Sequence, residues 1–150
     1  MSTTRSKTLA TWLAFAAGSL GAHRFYLHGL HDRWGWAHWP PTLIGAWGVS
    51  RMLTLGQDDR LAWLLIPWLG LAITAGMLSA LVYGLMPDEK WNQRFNPQRP
   101  ASFSGWLAVL GVIAALAVGA TVLISTIAFC AQRYFEAVEA QSRLQAPPPR

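Results

Sequence analysis

Two uninterrupted apolar runs constrain this chain more than any other feature: Leu61–Pro87, 27 residues, and Pro100–Gln132, 33 residues, hold no Asp, Glu, Lys or Arg. About 20 apolar residues are enough for a helix to cross ~30 Å of hydrocarbon, so either run can span a bilayer. Inside lipid a backbone amide has no water to bond to, which leaves the helix as the conformation such a run can hold. The rest of the chain agrees with this, being 53% hydrophobic and 13% charged over 150 residues. The expectation is an all-α integral membrane protein, a helical bundle whose first partner is the lipid bilayer.

Twelve Lys and Arg against seven Asp and Glu give a net charge of +5. These cations lie in short gaps between apolar runs, where headgroups meet the chain. No basic patch or recognition motif accompanies them, so nucleic acid is not an expected partner. Cys130, the single cysteine, excludes an intrachain disulfide.

Four transmembrane helices are predicted, at about 8–23, 38–54, 60–86 and 102–132. The second is the weakest, because Trp34–Ser50 is interrupted by His38, Pro40 and Pro41. A helix starting near Pro40 is compatible with proline in a first turn. At 1.5 Å per residue its 14 residues to Leu53 reach roughly 21 Å, so the segment either spans or dips and returns. The expected organisation is a hairpin over 1–55, two further helices over 56–132 joined by an interfacial loop, and a polar tail over 133–150. In that loop Lys90, Arg94 and Arg99 alternate with Trp91 and Phe95, which suits a strip lying on the membrane surface. The tail is helix-compatible to Gln145, and Pro147, Pro148 and Pro149 predict an extended end. Cation counts place the C-terminus on the cytoplasmic side in both the three-span and the four-span scheme.

Small residues recur at every fourth position in three segments: Ala10, Ala14, Gly18 and Ala22; Ala72, Gly76, Ala80 and Gly84; and Gly111, Ala115 and Gly119. Such stripes let helix backbones approach closely, and in lipid that contact is a main source of association. A shorter echo joins Asp32-Arg33 to Trp36 and Pro40, and Asp59-Arg60 to Trp63 and Pro67: both read D-R-x-x-W-x-x-x-P. The shared reading is an Asp that caps a helix, an Arg at the headgroups and a Trp in the interfacial belt.

The segment GAHRFYLHG, Gly21–Gly29, sets Arg24 and two histidines directly after an apolar run. An arginine ending a short span can lift its guanidinium to phosphates or to exposed helix-end carbonyls. Phe25 and Tyr26 are then interfacial aromatics, and Gly21 and Gly29 permit the chain to turn. Together with Ser6-Lys7, Leu13-Ala14 and Gly18, the string Gly21, His23, Arg24, Phe25, Tyr26, Leu27, Gly29 resembles the TM2 domain family of small membrane modules. The resemblance covers roughly Arg5 to Leu55 and departs at the inserted His28 and at Trp47 and Arg51. It implies a two-helix hairpin with the motif in its connection, in a bacterial cytoplasmic membrane, and supplies architecture rather than a reaction.

His23, His28, His31 and His38 with Asp32 offer the donor types of a metal or haem site, but no metal or haem spacing is matched. Asp58-Asp59 fits a loop and helix cap better than a proton-transfer pair. No hydrolase triad, P-loop or HExxH motif occurs, so no catalytic residue, metal or cofactor is expected. The predicted function is non-enzymatic: a membrane module acting by helix–helix contact, as scaffold, assembly or accessory unit, with itself or another membrane protein. The rival expectation is a small transporter or channel subunit, whose path would need the polar residues Thr74, Ser79, Thr121, Ser125 and Thr126.

Overall fold

The computed structural model describes residues 4–145, with side chains to Arg143; the expected extended end at Pro147–Pro149 lies outside the described residues. Helix α5, Arg60–Leu85, is the axis on which the other elements pack. It begins where the Asp59 carboxylate accepts the Leu61 amide, at 3.1 Å, capping an otherwise orphaned donor. Its 26 residues extend ~39 Å at 1.5 Å per residue. Together with α7, Trp106–Gln145, it is one of two helices among the described residues that are long and apolar enough to cross a membrane.

Every helix packed along α5 runs antiparallel to it, and small residues set each contact. Gly119 of α7 faces Met77, and Gly84 faces Val112. Helix α1, Lys7–Ala17, covers the C-terminal half of α5. There a Cβ on Gly18 would lie 2.6 Å from the Gly76 Cα, so the two backbones are nearly in contact. Helix α4, Trp39–Leu55, covers the N-terminal half, with Gly45 on Leu69 and Gly48 on Leu65.

α1 and α4 therefore follow one another along α5 in the same direction, instead of forming the expected side-by-side hairpin of helices 8–23 and 38–54. The cause lies between them. α1 stops at Ala17, Gly18–Leu20 tighten into a 3₁₀ turn, and Gly21 takes the left-handed region at φ +73°. Such a residue ends a helix and reverses the chain. The chain then folds back as α2, Ala22–His28, and α3, Arg33–Trp36, before α4 resumes the direction of α1. Thr42 closes the insertion by donating its hydroxyl to the Ser19 carbonyl at 2.6 Å.

The expected surface strip is a short helix, α6, Asp88–Phe95, whose aromatics point inward. Trp91 and Phe95 are buried with Ala10 and Leu27, against Tyr26 and Tyr83. The Trp91 indole N–H donates to the Arg5 carbonyl at 2.9 Å, so this ring is buried with its one polar group satisfied. Lys90 and Arg94 remain on the outer side. The expected boundary at 132 is also absent, since α7 begins at Trp106 and continues to Gln145 without a break. Its last turns hold Arg133–Glu136 at 2.6 Å and Arg143–Glu139 at 3.8 Å, pairs at helical spacing.

The packing is inside-out by the standards of a water-soluble domain. Ala10, Ala14, Ala62, Ala80 and Ala115 are fully buried, while Leu64, Leu78 and Leu85 on α5 and Leu107, Leu116 and Ile124 on α7 are exposed. Small residues inside and large aliphatics outside are the arrangement expected when lipid, not water, surrounds the helices.

Candidate functional site

Each residue of the GAHRFYLHG segment has a different neighbour, because the segment is a helix folded back against the bundle. Gly21 and Gly29 bound α2 at φ +73° and +85°. A side chain at Gly21 would also strike the Gly35 carbonyl, so this position needs glycine twice over. Phe25 lies under Gly35 and beside Trp36, with ring centroids 5.3 Å apart. The Tyr26 hydroxyl accepts the Ser6 amide at 2.8 Å, and Leu27 is buried in the core. Phe25 and Tyr26, expected at the lipid interface, are thus packing residues that tie α2 to α3 and to the start of α1. His28 stands half-exposed over Phe95.

Arg24 has a partner within the chain. Its Nε donates to Asp32 Oδ2 at 2.6 Å. The same carboxylate accepts the Trp34 amide at the start of α3, and His28 Nδ1 lies 3.9 Å away. The Arg24 hydrogen bond is the main reason the Asp32 carboxyl sits below the ordinary carboxylate range.

His23 is the buried centre of this insertion, 1% exposed. Its ring meets His38 edge-on and Tyr83 at a tilt, both at 5.6 Å. Burial, and then the charges of His38, Arg24 and His28, lower its pKa to about 4, with Asp32 opposing. It is accordingly neutral at pH 7. Its Nδ1 has no hydrogen-bond partner among the described residues. His38 Nδ1 lies 2.7 Å from the Trp34 carbonyl, an acceptor, which assigns the proton to that nitrogen. Among the described residues no three His, Cys, Asp or Glu side chains converge as metal ligands.

The turn between α4 and α5 repeats this construction 27 positions later. Arg51 pairs with Asp59 at 2.8 Å, as Arg24 does with Asp32. Gly56, at φ +95°, ends α4 as Gly29 ends α2. Trp63 donates its indole N–H to the Gln57 carbonyl at 2.7 Å, and Trp36 donates to that of Leu30 at 2.8 Å. The D-R-x-x-W echo is thus the second half of a longer unit, R-x4-G-x2-D-R-x2-W, found at Arg24–Trp36 and Arg51–Trp63. The arginine and glycine were the missed members, and aligning the two segments eight residues further upstream reveals them.

A second polar cluster was also missed. The buried Lys7 ammonium donates to the Met86 carbonyl and pairs with Asp88 at 2.7 Å. Asp88 in turn accepts the Ser104 amide and hydroxyl. Burial raises the Asp88 pKa, but the bonds from Lys7 and Ser104 more than reverse this and leave it at about 2. Asn96 exchanges hydrogen bonds with the Arg5 backbone, and Asn92 does so with Ser102. Nothing in the sequence pattern marks these two asparagines.

The small-residue stripes are seams within the chain. Ala14, Ala80 and Ala115 share one buried cluster with Met77, and Gly111 and Gly84 both face Thr11. Ala10 is buried beside Leu27, and Ala72 is buried on α5. Ala22 departs from its stripe, because the reversal at Gly21 places it on α2. No protein-family model, curated protein or solved structure matches the chain.

Proposed function

We propose that this protein is a multi-pass, non-enzymatic membrane module of the TM2 type that acts as a scaffold or accessory unit by helix–helix contact. The observation that carries the reading is the belt of exposed large aliphatic side chains around α5 and α7, which lipid can cover and water cannot. In this reading α5 and α7 each cross the bilayer. α1 and α4, end to end, make a third crossing, with α2 and α3 folded back on one side. Since the glycine and alanine seams are occupied within the chain, the faces left for a protein partner or second copy are outer ones, such as Leu43, Ile44 and Trp47 on α4.

The distribution of polar groups favours this role over transport. Four hydroxyls of the expected path, on Thr74, Ser79, Thr121 and Thr126, each donate to the carbonyl four residues back in their own helix. Bonded in this way they offer little to a hydrated solute.

Orientation follows from which cations share an end. Arg5, Lys7, Arg24, Arg33, Lys90, Arg94 and Arg99 fall at the α6 end, whereas Arg51, Arg60, Arg133 and Arg143 fall at the other. The richer end faces the cytoplasm by the positive-inside rule, which puts the N-terminus inside and the C-terminus outside, the reverse of the expectation from counts along the chain. Cysteines placed at His28 and Arg143 in a Cys130→Ala background test this. Labelling from opposite sides of a sealed membrane is expected, and labelling from one side would refute the three-crossing scheme. Photo-crosslinkers at Trp47 then test for a protein partner. Liposome flux without any crosslink would replace the scaffold reading with transport.

A further inference from the structure

We propose that the outer groove between α5 and α7 binds one anionic phospholipid, with an acyl chain in the groove and the phosphate held by Arg60 and Arg133. The proposal rests on the membrane reading above and adds a specific ligand to it.

Two rows of side chains make the groove. One runs down α5 from Leu78 through Leu71 to Pro67, and the other along α7 from Leu123 through Cys130 to Tyr134. Three depressions of about 300, 480 and 310 Å³ follow one another along it, sharing Leu123 and then Pro67, Cys130 and Tyr134. The first two are almost wholly apolar. The third opens at the polar end, beside Arg60, Trp63 and Arg133. Half of a ~30 Å hydrocarbon core is ~15 Å, which is about ten residues of helix at 1.5 Å rise. That is the distance along α5 from Pro67 to Met77, so one leaflet's acyl chain spans the apolar part of the groove and brings its headgroup to the arginines.

Charge at the mouth selects an anion. Arg60 is exposed and has no ion-pair partner among the described residues. The Arg133 guanidinium lies 4.8 Å above the Trp63 ring and 5.3 Å from that of Phe129. Its Nη1 bonds Glu136 at 2.6 Å, while its Nε is buried without a hydrogen-bond partner. The other Glu136 oxygen accepts from Gln132 at 2.8 Å. Both Glu136 oxygens are therefore engaged and Asp59, beside Arg60, is held by Arg51, while the lining of the mouth itself brings two guanidinium groups and no carboxylate. A phosphate oxygen suits the planar donors that remain.

Cys130 lies in the groove and is exposed, so the natural chain contains its own probe. The full-length protein is reconstituted into nanodiscs of phosphatidylcholine alone or with phosphatidylglycerol, and the rate of Cys130 modification by a lipid-soluble maleimide is measured. Phosphatidylglycerol is expected to slow modification about five-fold, the scale of one arginine–headgroup attraction. Arg60→Gln, at an exposed position that leaves the Arg133–Glu136 pair intact, should abolish the slowing. Ala120→Phe, which fills the groove further in, should abolish it too. Equal rates for the natural chain in the two lipids, or slowing retained in Arg60→Gln, would overturn the proposal while leaving the membrane reading standing. Cys130–Cys130 disulfides under mild oxidant would overturn it in favour of a second copy seated in the groove. Failure of the chain to enter the bilayer would overturn both.

Discussion

Replacing Gly76 tests whether the glycine seams hold this chain together from within. A Cβ at Gly76 would lie 2.8 Å from the Gly18 Cα and carbonyl carbon, whereas carbon atoms pack comfortably at about 3.5–4.0 Å. Because the obstructing atoms are backbone, α1 and α5 must move apart by about 1 Å, a gap that forfeits a quarter to a half of each contact across it. The contacts affected include Ala14, Met77 and Ala80. Overpacking of this kind costs about 1–3 kcal/mol, and alanine recovers about 1 kcal/mol as a better helix former than glycine. Gly76→Ala should therefore lose up to about 2 kcal/mol, or roughly 4–8 °C in melting temperature by the scaling for chains of this length. Gly76→Leu has no space at all and should separate α1 from α5. Gly105→Ala, with nothing within 4 Å of the added carbon, should stay within about 0.5 kcal/mol. Thermal melts in mild detergent measure the series, and a disulfide between Ala14→Cys and Ala80→Cys in a Cys130→Ala background reports the seam directly. If Gly76→Leu melts with the parent and still forms that disulfide, the intrachain seam is wrong.

Other expectations concern charge and capping. His23, whose pKa falls on folding from 6.5 to about 4, binds fewer protons folded than unfolded. The stability it contributes is complete above about pH 6.5 and is lost as the pH falls towards 4, so His23→Gln should flatten the melting profile across that window. Asp88 is depressed from 3.8 to about 2, so its contribution is complete above about pH 4 and disappears on titration through pH 2. Asp88→Asn should remove that acid transition and lower the melting temperature at pH 7. At Asp32 and Asp59, Asn keeps a capping oxygen but loses the arginine pair, whereas Ala loses both. Ala should then destabilise more than Asn at each position, and equal effects would show that the cap contributes nothing.

Helix existence was legible wherever the apolar run was long, and the relation between helices was not. Leu61–Pro87 and Pro100–Gln132 hold α5 and most of α7, because length and lack of charge leave few other conformations. The N-terminal third was misread for one physical reason. Ala10, Ala14, Gly18 and Ala22 keep a four-residue spacing, which reads as one continuous helix face. A left-handed Gly21 breaks it, and spacing carries no information about the sign of φ. The same break brings Trp91 and Phe95 inward, since only a folded-back α2 places Leu27 and Tyr26 against them. At Arg24 the charge was identified and its partner was not: Asp32 lies eight residues on, beyond the helical spacings at which pairs are usually sought.

The two copies of the turn separate what the shared residues determine from what they leave open. Both join an Arg, a helix-ending Gly, a capping Asp and an indole bound to the carbonyl after that Gly, so the same set of bonds accompanies the turn in both places. Beyond the tryptophan the copies diverge. α3 ends at Trp36 and a new helix begins at Trp39, whereas α5 runs on through Pro67 to Leu85. Proline sits at the same place in both, so it does not decide the outcome. The difference lies beside it. Gly35 stands where the second copy has Ala62, at a helix-propensity cost of about 1 kcal/mol. Gly35 is also where the Phe25 ring and the Gly21 backbone close in, which leaves no room for alanine. The residue that lets α2 fold back onto α3 is therefore the one that weakens α3. Installing Gly at Ala62 should cost α5 helix stability, while Ala at Gly35 should expel Phe25 and open the fold-back, which would appear as exposure of His23 to exchange.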